Sequence, residues 1–214
     1  MSERDKGIIF DLDGTLWEVT DRTYESVNEV TKKYNLEEVS RETVCNTFGM
    51  NREESAKNYF PYLNLDKALK LIDETAIINI KNLKQYGGNL YSNLESTLIK
   101  LKRKYKLFIV SNTGETEYIE AFIISSNLSE YFDSYIAASA LKISKADGIK
   151  KVINENGLKK AIYVGDTRKD LDSSNIANIP FVHARYGFDK NLKTEFFINS
   201  IQELPDIAEK IFNK

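Results

Sequence analysis

Ile8-Ile9-Phe10-Asp11-Leu12-Asp13-Gly14-Thr15 is the stretch on which the reading of this chain turns. The apolar, β-branched and aromatic run at 8–10 reads as a buried strand, and two acids follow it without a gap. Residues two apart on extended backbone project the same way, so Asp11 and Asp13 can face one crevice, with Gly14 permitting a sharp turn behind them. Open α/β sheets bind their ligands at the carboxyl ends of strands. Two like charges held so close repel unless a cation lies between them or one takes a proton, so the pair asks for a metal. Asp-Gly is also an ordinary turn dipeptide, and the pentapeptide alone is compatible with a solvated turn.

Further along, short apolar runs recur at 107–110, 135–137, 162–164 and 181–182. Helical periods lie between them, such as Leu94, Leu98, Leu101 and Tyr105, then Ile149, Val152 and Ile153. Strands alternating with helices predict an α/β fold, a doubly wound parallel sheet covered on both faces. The alternation breaks between about 17 and 88, where the periods are helical only: Tyr24, Val27, Val30 and Tyr34, then Leu69, Ile72, Ala76, Ile80 and Leu83. The chain therefore divides into a core of 1–16 and 89–214 and an inserted helical domain of 17–88. Gly49 is placed to end one inserted helix and Gly87-Gly88 to return the chain to the core. Asn51 with Glu54, Ser92 with Glu95 and Ser200 with Glu203 have the spacing of capping boxes.

A second acidic cluster, Gly165-Asp166-Thr167-Arg168-Lys169-Asp170, follows the run at 162–164 and opens a helical segment. Acids are common at helix N-termini, where they favour the macrodipole; the position at a strand end is what makes these candidates for a site. Ser111-Asn112-Thr113 after the second strand offers a hydroxyl and free amides, and Lys145 offers a cation, with Lys142 as a less favoured substitute.

Bulk properties narrow the function. Among 214 residues, charged side chains make up 29% and nearly cancel to a net charge of -2, so no basic field exists to draw the protein onto nucleic acid or acidic lipid. Cys45 stands alone, which excludes an intrachain disulfide and suits a reducing compartment. No apolar run approaches the roughly 20 residues that span a bilayer, and no signal peptide is evident. A cytoplasmic protein without nucleic-acid or membrane partners is expected. His183, the single histidine, cannot build a histidine-based zinc site. Ser111 lies outside any Gly-x-Ser-x-Gly elbow.

Taken together, the strand-end Asp-x-Asp-Gly-Thr, the serine after the second strand, the lysine and the Gly-Asp-x-x-x-Asp, in that order, resemble the haloacid dehalogenase superfamily. The insertion at 17–88 occupies the place of the helical cap in members resembling phosphoglycolate phosphatase. The resemblance implies a sheet order of 5-4-1-2-3 and a magnesium-dependent phosphatase acting on a small phosphorylated metabolite, as a monomer or homodimer. It also implies roles. Asp11 would be the nucleophile that becomes an aspartyl phosphate, and Asp13 the general acid and base. Asp11, the Asp13 carbonyl and Asp166 would hold Mg2+ while Asp170 orients that set, and Ser111, Asn112 and Lys145 would bind the phosphoryl group. A phosphomutase or phosphotransferase of the beta-phosphoglucomutase type is the alternative within catalysis, and a non-catalytic phosphate-binding relative the alternative outside it. In the cap, Arg22, Arg41, Asn51 and Arg52 are polar candidates for a substrate's remote end, and Trp17 is near enough in sequence to wall the site.

Overall fold

The computed structural model describes residues 5–214. Its central sheet carries six parallel strands: β1 (Lys6–Phe10), β4 (Lys106–Ser111), β5 (Ser134–Ala137), β6 (Lys160–Gly165), β7 (Phe181–Ala184) and β8 (Phe196–Ile198). They lie in the order β5-β4-β1-β6-β7-β8, so the five expected strands stand in the expected order and β8 extends the sheet at one edge. Three residues are too short a run to announce that strand by periodicity. A two-stranded antiparallel ribbon, β2 (Trp17–Glu18) with β3 (Asn89–Leu90), clasps the two chain crossings between the sheet and the insertion.

Alternation along the strands explains the two layers. Ile8, Phe10, Leu107, Ile109, Ile162 and Val164 point into one core cluster with Leu94, Leu98 and Leu101 of α5 (Leu94–Lys102), Ile119 and Phe122 of α6 (Thr116–Ser126), and Leu204 and Ala208 of α9 (Leu204–Phe212). Ile9, Phe108, Val110 and Tyr163, one residue out of phase, face a second cluster with Ile149 and Val152 of α7 (Lys145–Glu155) and the partly buried Leu171 and Ala177 of α8 (Arg168–Ala177). Successive side chains of a strand point to opposite faces, so near-continuous apolar runs are what a sheet covered on both sides requires.

The insertion holds α1 (Thr20–Lys33), α2 (Arg41–Thr47), α3 (Arg52–Tyr59) and α4 (Leu65–Tyr86). These helices bury a cluster of their own, including Val27, Val30, Val44, Phe60 and Leu71, while the far end of α4 packs on α6 and puts Leu83 into the sheet's core. Gly49, just past α2, and Gly87, the cap of α4, both have positive φ. Of the three expected capping boxes only Asn51 with Glu54 forms, the side-chain and backbone bonds measuring 3.0 and 2.9 Å. Ser92 is displaced because Asn93, in left-handed conformation, caps α5. Ser200 precedes a single 3-10 turn, and its side chain makes no cap bond. No helix among the described residues is long and apolar enough to cross a membrane.

Candidate active site

The site forms where β1 and β6 end side by side. The Asp11 N–H donates to the Val164 carbonyl at 2.8 Å, carrying the strand pairing one residue past β1 and setting Asp11 against the loop that holds Asp166. Carboxylate oxygens of Asp11, Asp166 and Asp170 lie within 4.8 Å of one another, all three residues buried. Gly14 turns the chain at φ +77, and a Cβ there would lie 2.3 Å from Asp166 Oδ2. At Gly187 an added Cβ would meet the same oxygen at 2.3 Å and Gly14 O at 2.5 Å, so backbone wraps the carboxylate where no side chain fits.

Lys145 begins α7, whose N-cap Ser144 accepts from the Asp147 N–H. Its Nζ reaches Asp11 Oδ1 at 2.9 Å and Asp170 Oδ1 at 2.6 Å, and the residue is 7% exposed. Lys142 is exposed, in a left-handed turn. Asp170 is saturated: Oδ1 also accepts from the Tyr163 hydroxyl at 3.4 Å, and Oδ2 takes the Thr167 N–H at 3.0 Å and Oγ1 at 2.6 Å. It thus caps α8 through its own capping box while anchoring the lysine. Asp166 Oδ2 accepts the Phe188 N–H at 2.6 Å, and Oδ1 accepts from Thr15 Oγ1 at 3.3 Å.

Asp13 points differently. Its Oδ1 accepts from Trp17 Nε1 at 2.7 Å and from the Tyr118 hydroxyl at 3.1 Å. Asp11, Asp13, Ser111, Asn112 and Lys145 line one cavity of about 270 Å³ between the sheet's carboxyl edge and the inserted helices. Asn51 and Arg52 line it too, but Arg52 is held by Asp73 through bonds of 2.6 and 2.5 Å. Arg22 and Arg41 pair with Glu25 and Asp21 instead and are not among its lining. His183 is fully buried, Nε2 bonding the Asp189 carbonyl at 2.7 Å, and does not reach the rim.

Burial first, then the charge of Asp170, raises Asp11 to about 6 against the pull of Lys145. Burial and the neighbouring Asp11 push Asp13 to about 7. Asp166 is driven well above the usual carboxylate range by burial and then by Asp170 and Asp11. Burial opposes the charge on Lys145, yet Asp11 and Asp170 outweigh it and hold the ammonium above its ordinary value. Three buried carboxylates share one buried cation, and their donor set is all oxygen. That is a fit for a hard divalent ion such as Mg2+, which relieves the repulsion that protonation would otherwise have to remove.

The sequence offers Trp17 only as a wall of the site and gives no sign of the roles of Tyr118, Tyr163 and Phe188. Tyr118 and Tyr163 are ordinary members of a set of 12 tyrosines, and Phe188 acts through a backbone N–H that any residue but proline would offer. Only the place of Trp17, four residues after Asp13, held a local signal.

A family model described as haloacid dehalogenase-like hydrolase matches residues 8–184. A phosphoglycolate phosphatase of Pasteurella multocida is 26% identical over 202 residues, covering 87% of this chain and 88% of that protein. A glyceraldehyde 3-phosphate phosphatase of Methanocaldococcus jannaschii is 26% identical over 224 residues, covering 96% and 98%. Among solved structures, a protein of Haemophilus somnus described as a predicted phosphoglycolate phosphatase superposes with a TM-score of 0.84 at 22% identity, covering 96% of this chain and 98% of its own. With the family model running from within β1 to the end of β7 and taking in the inserted helices and both acidic loops, this chain belongs to the haloacid dehalogenase-like hydrolases.

Proposed function

We propose that this hydrolase is a phosphatase of small phosphorylated metabolites that works through phosphorylated Asp11. The observation that carries the reading is the meeting of Asp11, Asp13, Ser111, Asn112 and Lys145 on one cavity, with Lys145 bonded to the carboxylate of Asp11. The names of the Pasteurella and Methanocaldococcus relatives support a small phosphomonoester as the substrate class.

Asp11 attacks phosphorus as the ester P–O bond breaks, and Asp13 gives a proton to the departing oxygen. Water then attacks the aspartyl phosphate while Asp13 takes the proton back, releasing inorganic phosphate and restoring Asp11. Lys145, the Ser111 hydroxyl and the Asn112 amide hold phosphoryl oxygens, the positioning on which phosphoryl transfer depends. Asp11, the Asp13 carbonyl and Asp166 would hold Mg2+, which supplies charge neutralisation for an incoming phosphate beside a carboxylate. Asp170, its oxygens already engaged, keeps Lys145 and the α8 terminus in place. The helices at 17–88 act as a cap that closes the cavity and selects the substrate's remote end, Asn51 and Arg52 being the two cap candidates on its lining.

The test is phosphate release from phosphoglycolate, sugar phosphates and nucleoside monophosphates with magnesium. Asp11→Asn should fold and lose at least about a thousandfold in turnover, and chelation should abolish activity until magnesium is restored. Near-parental turnover by Asp11→Asn, or full activity in excess chelator, refutes the assignment. Isomerised sugar phosphate in place of free phosphate would instead identify a mutase.

A further inference from the structure

We infer that Trp17 and Tyr118 are positioning residues for Asp13: both pin its Oδ1, leaving Oδ2 as the oxygen that exchanges the proton with substrate and water. This rests on the phosphatase reading above and adds to it which atom of Asp13 acts and what holds it there.

The geometry is specific. Trp17 Nε1 can only donate, so the oxygen it meets at 2.7 Å is an acceptor, the role that favours keeping the proton on the other oxygen. Tyr118, from α6, brings a second donor to the same atom at 3.1 Å. Among the described residues none donates a hydrogen bond to Oδ2, and the only fully buried, unpartnered side-chain polar atoms are Thr75 Oγ1 and His183 Nδ1, so Oδ2 is not sealed away from solvent. Since Asp13 lines the cavity, Oδ2 is the oxygen that reaches it. The donors are themselves braced. Trp17 is fully buried, its ring edge-on to Phe122 at 5.2 Å and to Tyr118 at 6.0 Å. The turn at Gly14 returns Trp17 to Asp13 through the Gly14 N–H bond to Trp17 O at 2.9 Å.

The consequence is chemical as well as steric. When the ester bond breaks, the Oδ2 proton passes to the leaving oxygen and Asp13 becomes a carboxylate, whose charge is met at Oδ1 by two donors already in place. When water attacks the aspartyl phosphate, its proton returns to Oδ2 and the same donors remain. Bonds to an ionised acceptor are stronger than bonds to a neutral one, so Trp17 and Tyr118 favour the donating step without reorganising for it.

Two variants test this: Tyr118→Phe removes only the hydroxyl donor, and Trp17→Phe removes the indole N–H together with one ring of a buried side chain. With magnesium, each should lower kcat/KM, which reports the steps up to departure of the leaving group, about tenfold on an alkyl phosphate, whose leaving oxygen needs a proton. On an aryl phosphate with an acidic phenol, which leaves unprotonated, kcat/KM should stay within about twofold. Equal losses on both substrates, or none on the alkyl ester, overturn the inference. An inactive parent enzyme on both, or an active Asp11→Asn, overturns the phosphatase reading instead. Should Trp17→Phe not fold, the parent protein still decides, because Trp17 is the only tryptophan and has one indole N–H resonance. Asp13→Asn should shift that resonance strongly, and an unmoved signal would show that the bond to Asp13 is not made.

Discussion

Among the described residues Lys145 is the one buried lysine or arginine, and Asp11 and Asp170 both depend on it, with Nζ within 2.9 Å of each. Removing one partner of a buried pair leaves uncompensated charge, whose cost exceeds the worth of the pair itself. Lys145→Met, close in volume, should therefore destabilise the metal-free protein by about 3 kcal/mol at neutral pH, measured by urea unfolding. The loss should shrink toward pH 5, where Asp11, already raised to about 6, can take a proton. A loss that does not change with pH would mean that packing and not charge is the cause. The acids of the two strand-end motifs were legible from residue type and spacing alone. Phe188 was not, because its contribution is a backbone N–H donated to Asp166.

At the level of elements, α8 shows one side chain serving two ends. Thr167 and Asp170 form the capping box of the helix, and Asp170 uses its other oxygen to hold Lys145 of α7. Thr167→Ala should cost about 1 kcal/mol, the worth of a helix cap, and lower turnover because Asp170 loses the Thr167 hydroxyl as a donor while keeping the backbone N–H. Ser92→Ala and Ser200→Ala, at two boxes that the sequence spacing suggested and the fold did not build, should stay within about 0.5 kcal/mol. Thermal unfolding of the three variants separates them, and equal losses would contradict the assignment. The failure of those two boxes is instructive. An S-x-x-E spacing records what a helix start could use, whereas in the fold Asn93 in left-handed conformation takes the N-cap of α5 and a 3-10 turn at 201–203 precedes α9. The strand β8 and the ribbon of β2 with β3 escaped for a related reason: two or three residues carry too little pattern to register before their partners are known.

For the whole molecule, the acidic cluster ties stability to pH. Asp11 is raised to about 6 and Asp13 to about 7, against an unfolded value near ~3.9, so between those limits the folded state binds more protons than the unfolded chain. These two groups therefore favour folding at low pH and cost stability progressively as pH rises from about 4 to about 7. Asp13→Asn removes one such group, so its stability relative to the parent, measured without metal, should improve as pH rises through that window. A divalent ion that binds only the folded state would add stability by mass action. Magnesium should raise the melting temperature more at pH 7.5 than at pH 5, because protons compete for the same oxygens; an equal rise at both would disprove the competition. The sequence by itself determined the alternation of strands and helices, the inserted helical segment and the acids at two strand ends, since these follow from periodicity and residue chemistry within a few residues. Only the tertiary structure decided that Trp17 and Tyr118 share one oxygen of Asp13, that Asp170 carries both a helix cap and Lys145, and that Arg52 is taken by Asp73. Such pairings join side chains from separate elements, and their distances are set by how helices pack on the sheet, which no local pattern encodes.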